Sequence, residues 1–522
     1  MSLTIVITSL LVLNILILFI QAKVTIPESD HPYHLGLING IRKSKHRFLL
    51  SHPNFIGEIN FGYPQFFHWV LSFLPKAFLD NYYYFIGAVL NILSLVLFLV
   101  FAIWAYPLLY ISISIEYFVL YVGLLYILTP FSWAIWNAKN TGISTRGLGL
   151  FLGYLYQFLI LLYFYSGSFV FLFFIFITVF IILISSQFAN QFVLLTLPFF
   201  AILYNNYFLL SFPLLAFLLF YLINKEVALK FLRAQYWHKT IYYKYLAKVF
   251  ILKSRPSIWR DLIYDIWKNI IKRPATGLLY AYHNPVISIT VGIPVLGYLV
   301  FVFLVRNTFY TTEIEKLLFY NIIIALSVFF LTSLRKTRFL GEPERYVELA
   351  IPSIVLLSLS ITNESYLSIT KTILIVSILL IGIQFLTQYV LNKVITKNNP
   401  AIKGQELVKT INQLQNQQND LRVFSNNQQF LKYVVQTDAK VIYTNLTSLH
   451  TGSFSFTEIY PEKYGHISNK VIPRLIKEFD INCFILDTSM CQIHAIPLFN
   501  ELGFAKHSST KNFDVYITKT IC

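Results

Sequence analysis

The chain has 522 residues, of which 56% are hydrophobic and 17% aromatic, and only 12% are charged; its mean hydropathy is +0.62. A soluble domain carries about 25% charged residues, so a chain this apolar takes lipid as the solvent for most of its surface and is excluded from the soluble globular classes. The formal net charge of +17 falls in loops between apolar stretches, which points to anionic membrane lipids or phosphate-bearing lipid substrates and away from nucleic acid.

Residues 3–21 form an apolar run long enough to cross ~30 Å of hydrocarbon. No Lys or Arg precedes it and no small-residue cleavage pattern follows, so it reads as an uncleaved first helix. A long polar loop, 22–82, comes next. Further predicted spans are 83–105, 107–129, 147–165, 169–185, 188–204, 207–223, 286–305, 317–334, 347–362 and 370–390, about eleven in all. The stretch 225–285 holds twelve Lys or Arg against three acids, interleaved with Tyr, Trp, Leu and Ile, and reads as amphipathic helix lying in the membrane interface.

Beyond residue 395 the hydrophobicity drops. A Gln/Asn-rich helix over 404–419 leads into the β-like runs "KVIYT", "NCFILDT" and "FDVYIT". The predicted fold class is therefore an all-α polytopic membrane bundle over 1–395, followed by a small soluble α/β domain over 396–522. Cys483, Cys491 and Cys522 show no paired ligand spacing, hence neither a disulfide framework nor a zinc site. With eleven spans, the 22–82 loop, "NAKNTGISTRG", the basic stretch, "RKTRFLGEPERY" and the C-terminal domain all emerge on one face, which gathers most of the polar chemistry there.

The first loop opens with "PESDHPYHLGLINGIRKSK". Glu28 and Asp30, beside His31 and His34, can serve as general base for an acceptor or help hold a divalent metal. Asp30 before an apolar-periodic run with Pro32 in its first turn also fits an N-cap. Arg146 stands at the mouth of a span, followed by glycines that let helices approach. Ser185, Ser186, Gln187, Asn190 and Gln191 separate two very apolar spans, as a polar turn or as substrate contacts. In "RFLGEPERYVELAIP", Glu342, Glu344, Arg345, Tyr346 and Glu348 lie where the chain re-enters the membrane, and charges there are costly unless paired or used. Arg345 offers a planar fork suited to phosphate; the alternative is a local Arg–Glu pair. Glu116 reads as an acid in the middle of the third span.

A first helix, an acidic residue opening a large first loop, Tyr63 in the Tyr-Pro element "YPQFFHWVL" and many further spans resemble the GT-C superfamily, which includes the protein mannosyltransferases and aminoarabinose transferases. The "GEPERY" element resembles one in bacterial members. The resemblance implies a glycosyltransferase using a polyprenyl-phosphate-linked sugar, with Asp30 and Glu28 at the catalytic centre. His31, His34, Tyr63, Arg146, Gln187, Gln191, Glu344, Arg345 and Tyr346 would then contact substrate, and the acceptor would be a glycan, lipid or protein. It implies a plasma or inner membrane location with an extracytoplasmic site. The positive-inside rule, taken alone, sets the same face in the cytoplasm. Metal-dependent relatives carry a further acidic pair after the third span; here stand Asn137 and Asn140, which favours metal-independent inversion. Two rivals differ in testable ways. A transporter or flippase of lipid-linked saccharides usually shows two related halves, and none is visible. A non-enzymatic membrane scaffold would tolerate Asp30→Asn and Arg345→Ala in a transfer assay.

Overall fold

A computed structural model describes residues 2–24, 30–56, 62–109, 111–134, 138–140, 142–241, 267, 271, 284–305, 310–334, 337, 340–360, 367–395, 400–418, 420–442, 456–459, 467–488, 495–510 and 512–519. In chain order, α1 (Leu3–Val24) is followed by the first-loop helices α2 (His31–Lys43), α3 (Phe66–Ser72) and α4 (Lys76–Tyr82). Then come α5 (Tyr84–Ala105), α6 (Ile115–Ile127), α7 (Thr145–Ser166), α8 (Phe169–Ser185), α9 (Gln187–Leu203), α10 (Phe212–Ile223) and α11 (Lys225–Ile241). The next group is α12 (Pro285–Gly292), α13 (Pro294–Val305), α14 (Glu313–Ser333), α15 (Glu344–Glu348), α16 (Ile351–Ser360) and α17 (Leu367–Ile395). The C-terminal helices are α18 (Pro400–Gln417), α19 (Gln428–Val434), α20 (Phe456–Ile459), α21 (Ile472–Phe479) and α22 (Ala495–Glu501).

Among the described residues the apolar runs are mainly helical, but the helices differ in length. Among the described residues, α1, α5, α7, α14 and α17 are long and apolar enough to cross a membrane, and α12 with α13 makes a sixth if the bent pair counts as one span. That pair turns by 87°. Ile293, ahead of Pro294, leaves helical backbone with φ −129° and ψ 71°, as the residue before a proline tends to do. Helices α6, α8, α9 and α16 and the stretch Tyr207–Ile223 are apolar and shorter.

Two sequence expectations change here. The predicted span 107–129 is not continuous, because the 3-10 turn Tyr106–Leu108 contains Pro107 and helix resumes only at Ile115. Glu116 therefore sits in the first turn of α6 and not at mid-span. Asp30 occupies the N-cap position of α2 but makes no capping bond with its side chain.

The chain divides into two units, the first comprising Met1–Ile26, Tyr82–Phe220 and Leu246–Leu391. In it α16 is buried along its whole length, from Ile351 to Ser360. Helix starts are set by short polar side chains: Ser144 accepts from the Arg146 amide, Ser186 from Ala189, and Thr312 forms a capping box with Glu315. A ladder of carboxamides links α1, α5 and the turn Ala138–Asn140. Asn14 donates to Asn91 (2.9 Å), Asn91 to Asn140 (3.4 Å) and Asn140 to Gln21 (3.2 Å). Such bonds hold helices together where hydrocarbon offers no competing partner.

The second unit comprises Pro27–Asn81, Tyr221–Tyr245 and Asn392–Cys522. Its sheet has the strand order β2-β1-β3-β5-β4, from β1 (Arg422–Ser425), β2 (Lys440–Val441), β3 (Cys483–Asp487), β4 (Phe504–Ser509) and β5 (Phe513–Thr518). β1 pairs in parallel with β2 and β3, and β5 runs antiparallel to β3 and β4. The all-buried "CFILD" is the central strand, as a continuous apolar run requires. The first loop completes this fold. Tyr33, Leu37 and Ile41 of α2 and Leu49 share one core with Leu407, Ile411, Leu431, Val435 and the sheet. Phe55 bridges Val441, with Val441 N–H to Asn54 O at 2.7 Å and Ile56 N–H to Val441 O at 2.9 Å, so the first loop covers the exposed edge of β2.

Candidate functional site

In the helical unit, three segments singled out in the sequence come together. Gly149 of α7 packs so closely on the start of α9 that a Cβ there would lie 2.3 Å from Ser186 Oγ. One turn on, Gly153 packs against Leu349 just beyond α15. Tyr346 stacks near Phe188 and Phe192 of α9, with ring centroids 6.1 and 6.4 Å apart, and its hydroxyl donates to Leu340 O at 2.5 Å. Gly341, at φ +123°, has room for a Cβ only 3.0 Å from the Tyr346 hydroxyl and 3.3 Å from Gln191 Oε1, so the turn that delivers "EPERY" is restricted to glycine by conformation and by space. Thus "STRGLG", "SSQFANQF" and "GEPERY" form one neighbourhood.

Two ion pairs lie in this neighbourhood. Arg345 forms an ion pair with Glu342 three residues before it, with both side chains partly exposed. This is the local Arg–Glu pair that the sequence also allows. Glu344 is buried, and Glu348 Oε1 meets Lys139 Nζ at 2.5 Å, both side chains almost wholly buried. Tyr154 of α7 donates to the Glu348 carbonyl at 3.3 Å. Arg146 lies in the first turn of α7, half-buried, two residues after the capping Ser144. Gln187 opens α9 directly after its cap Ser186, so this polar break serves as a helix start.

In the second unit, Asp30 Oδ1 accepts from Lys432 Nζ of α19 at 2.5 Å. Lys432 is nearly buried, with a side chain 10% exposed, whereas Asp30 is 42% exposed. Beside Asp30 lies a cluster of imidazoles. His34 Nδ1 is 2.8 Å from His68 Nε2, and the Tyr63 ring stands edge-on to both, with centroids at 6.0 and 5.5 Å. Burial, reinforced by neighbouring His34, lowers the His31 pKa to about 3 and holds that of His68 well below its usual value. His52, with Nε2 at 3.0 Å from Gly36 O, is lowered to about 4, chiefly by burial. These rings are neutral at neutral pH and act as hydrogen-bonding groups. Glu28 and Asn137 lie outside the described residues.

Sequence reasoning missed Lys432, His68 and Lys139 as partners. Lys432 and Lys139 read locally as unremarkable helix or loop residues, and their partners are remote in sequence. His68 is the histidine of the Tyr-Pro element "YPQFFHWVL" that the sequence singles out, and only the structure shows that it meets His34.

No family model matches the chain, and no curated protein matches it. Among solved structures, the chain is similar to the crystal structure of ArnT from Cupriavidus metallidurans bound to undecaprenyl phosphate. The TM-score is 0.57 at 10% sequence identity, over 98% of this chain and 97% of that one. The likeness covers both units and shows the fold alone: a mainly helical bundle with apolar spans, followed by a small five-stranded C-terminal sheet.

Proposed function

We propose that this protein is a membrane glycosyltransferase that transfers a sugar from a polyprenyl-phosphate carrier to a glycan, lipid or protein acceptor with inversion. The observation that carries the reading is the whole-length likeness to a protein crystallised with undecaprenyl phosphate. The acidic opening of the first loop and the gathering of "STRG", "SSQF" and "EPERY" support it.

In this reading, Asp30, with Glu28 nearby in sequence, accepts the proton from the acceptor hydroxyl or amine. The acceptor atom bonds to the anomeric carbon from the face opposite the phosphate. The bond from that carbon to the phosphate oxygen breaks, and its electron pair leaves with the polyprenyl phosphate. Arg345, Arg146 and basic residues of 225–285 neutralise the departing phosphate. His31, His34, Tyr63, Gln187, Gln191, Glu344 and Tyr346 contact the sugar or the carrier. A stable leaving group means that positioning, charge neutralisation and one base suffice. The acceptor face is extracytoplasmic, all eleven apolar segments cross the membrane, and no divalent metal is required.

The test is a transfer assay on protein in lipid nanodiscs, with polyprenyl-phosphate-linked sugars and extracted cell-envelope acceptors, read by mass spectrometry. Transfer by the wild type with a loss of about 100-fold or more in Asp30→Asn supports the reading, since general-base groups contribute roughly 10²–10⁴-fold. Equal rates for Asp30→Asn and the wild type would remove Asp30 as the base. A wild type inert with every such donor would remove the transferase assignment.

A further inference from the structure

We infer that Lys432 of the C-terminal domain is the positioning residue for the first-loop carboxylate Asp30, which makes that domain part of the transfer machinery and not a separate appendage. The inference rests on the transferase reading and deepens it.

Asp30 occupies the N-cap position of α2, where a free carboxylate ordinarily turns inward onto the amides of the first turn. Here no capping bond forms. Oδ1 instead accepts from Lys432 Nζ at 2.5 Å, a charge-assisted bond between residues 402 apart in the chain. The two partners are unequal in exposure. Lys432 is 10% exposed and Asp30 is 42% exposed, so the ammonium is the buried anchor and the carboxylate keeps exposed surface where an acceptor can approach.

The helix that carries the anchor is tied at both ends. Helix α19 starts at Asn427, whose side-chain oxygen caps the Gln429 amide while its NH2 donates to Asp487 Oδ2 on the central strand at 2.7 Å. At its other end, Asn54 of the first loop donates to Val435 O (3.4 Å) and Thr437 O (2.6 Å). Gly36 of α2 lies so close to Val435 that a Cβ would come within 2.3 Å of Val435 Cγ1. A second ion pair, Lys43 to Asp438 at 2.5 Å, repeats the link one helix end further on. A side chain needed within a fraction of an ångström of a reacting atom is best held by groups that are themselves fixed by packing and hydrogen bonds, and α19 carries such bonds at both ends.

A merely structural ion pair and a positioning one differ in what their loss does. The experiment has three arms on the full chain in nanodiscs. Treatment with a water-soluble carbodiimide, which activates a carboxyl for attack by an adjacent amine, joins Asp30 to Lys432 as an isopeptide that proteolysis and mass spectrometry detect. Steady-state transfer kinetics compare wild type, Lys432→Met and Lys432→Arg. The expected outcome is the cross-link in the wild type, a fall in kcat of about 100-fold for Lys432→Met with donor KM within about twofold, and recovery of most of that loss in Lys432→Arg. Thermal unfolding of the three proteins identifies any variant that fails to fold. A misfolded Lys432→Met leaves the decision to Lys432→Gln, read the same way. Absence of the cross-link overturns the inference, as does a folded Lys432→Met with wild-type kcat. A cross-linked but inert wild type overturns the transferase reading and the positioning role together, leaving the ion pair as a structural link. An active wild type without the Lys432 effect overturns the inference alone.

Discussion

Lys139 Nζ lies 2.5 Å from Glu348 Oε1, and the two side chains are 4% and 5% exposed within the helical unit. Removing one member of such a pair leaves an uncompensated buried charge and costs about 3–5 kcal/mol, whereas replacing both by apolar groups of similar volume is often neutral. Lys139→Met and Glu348→Leu singly should each lower the melting temperature in detergent markedly, and the double variant should recover most of the loss. Wild-type melting of either single variant would show that the pair contributes nothing.

The buried imidazoles of the second unit give it a defined acid response. His31 and His52 have folded-state pKa values lowered to about 3 and about 4 by burial, and His68 lies well below its usual value. The unfolded chain therefore binds more protons than the folded one below about pH 6.5. The stability these rings contribute is complete above that pH and is lost as pH falls toward the folded values, at roughly 1 kcal/mol per pH unit per ring. Urea unfolding followed by tryptophan fluorescence from about pH 7.5 to about pH 4.5 should show this decline, and His52→Gln should flatten it. A midpoint independent of pH across that range would contradict the assignment of neutral rings.

Gly87 of α5 faces backbone: a Cβ would lie 2.9 Å from both Cα and O of Asn140. Neither atom can swing away as a side-chain tip can, so Gly87→Ala should destabilise the bundle by about 1–3 kcal/mol and disturb the Asn140–Gln21 bond. Gly382 in α17 has nothing within 4 Å of the same position. Gly382→Ala should be neutral or stabilise by about 0.5–1 kcal/mol through helix propensity. Equal melting behaviour of the two variants would mean that close helix approach does not govern the effect.

Arg345 forms an ion pair with Glu342. If Arg345 contacts the carrier phosphate, that pair must open when the lipid binds. Glu342→Gln should then strengthen retention of undecaprenyl phosphate in native mass spectrometry by up to about fivefold, the equivalent of an exposed ion pair of ~1 kcal/mol. Arg345→Ala should weaken retention. Opposite signs, or no change in either variant, would move the phosphate away from Arg345.

The sequence by itself determined that the apolar segments of the bundle are helical, but not the breaks after Leu108 and at Ile293. An apolar run leaves its backbone no partner in lipid but itself, so composition alone dictates helix there. The same local logic found the strands "NCFILDT" and "FDVYIT", the glycines that admit neighbouring helices, and the acidic opening of the first loop. Only the tertiary structure decided what those groups touch. Asp30 meets Lys432 across 402 residues and Lys139 meets Glu348 across 209. The first loop and the C-terminal domain, read from the sequence as separate, share one core around Leu37, Ile41 and Val435. An ion pair or a shared core between remote segments has no periodicity and no spacing, because it is fixed by chain topology and burial, and a linear reading carries neither.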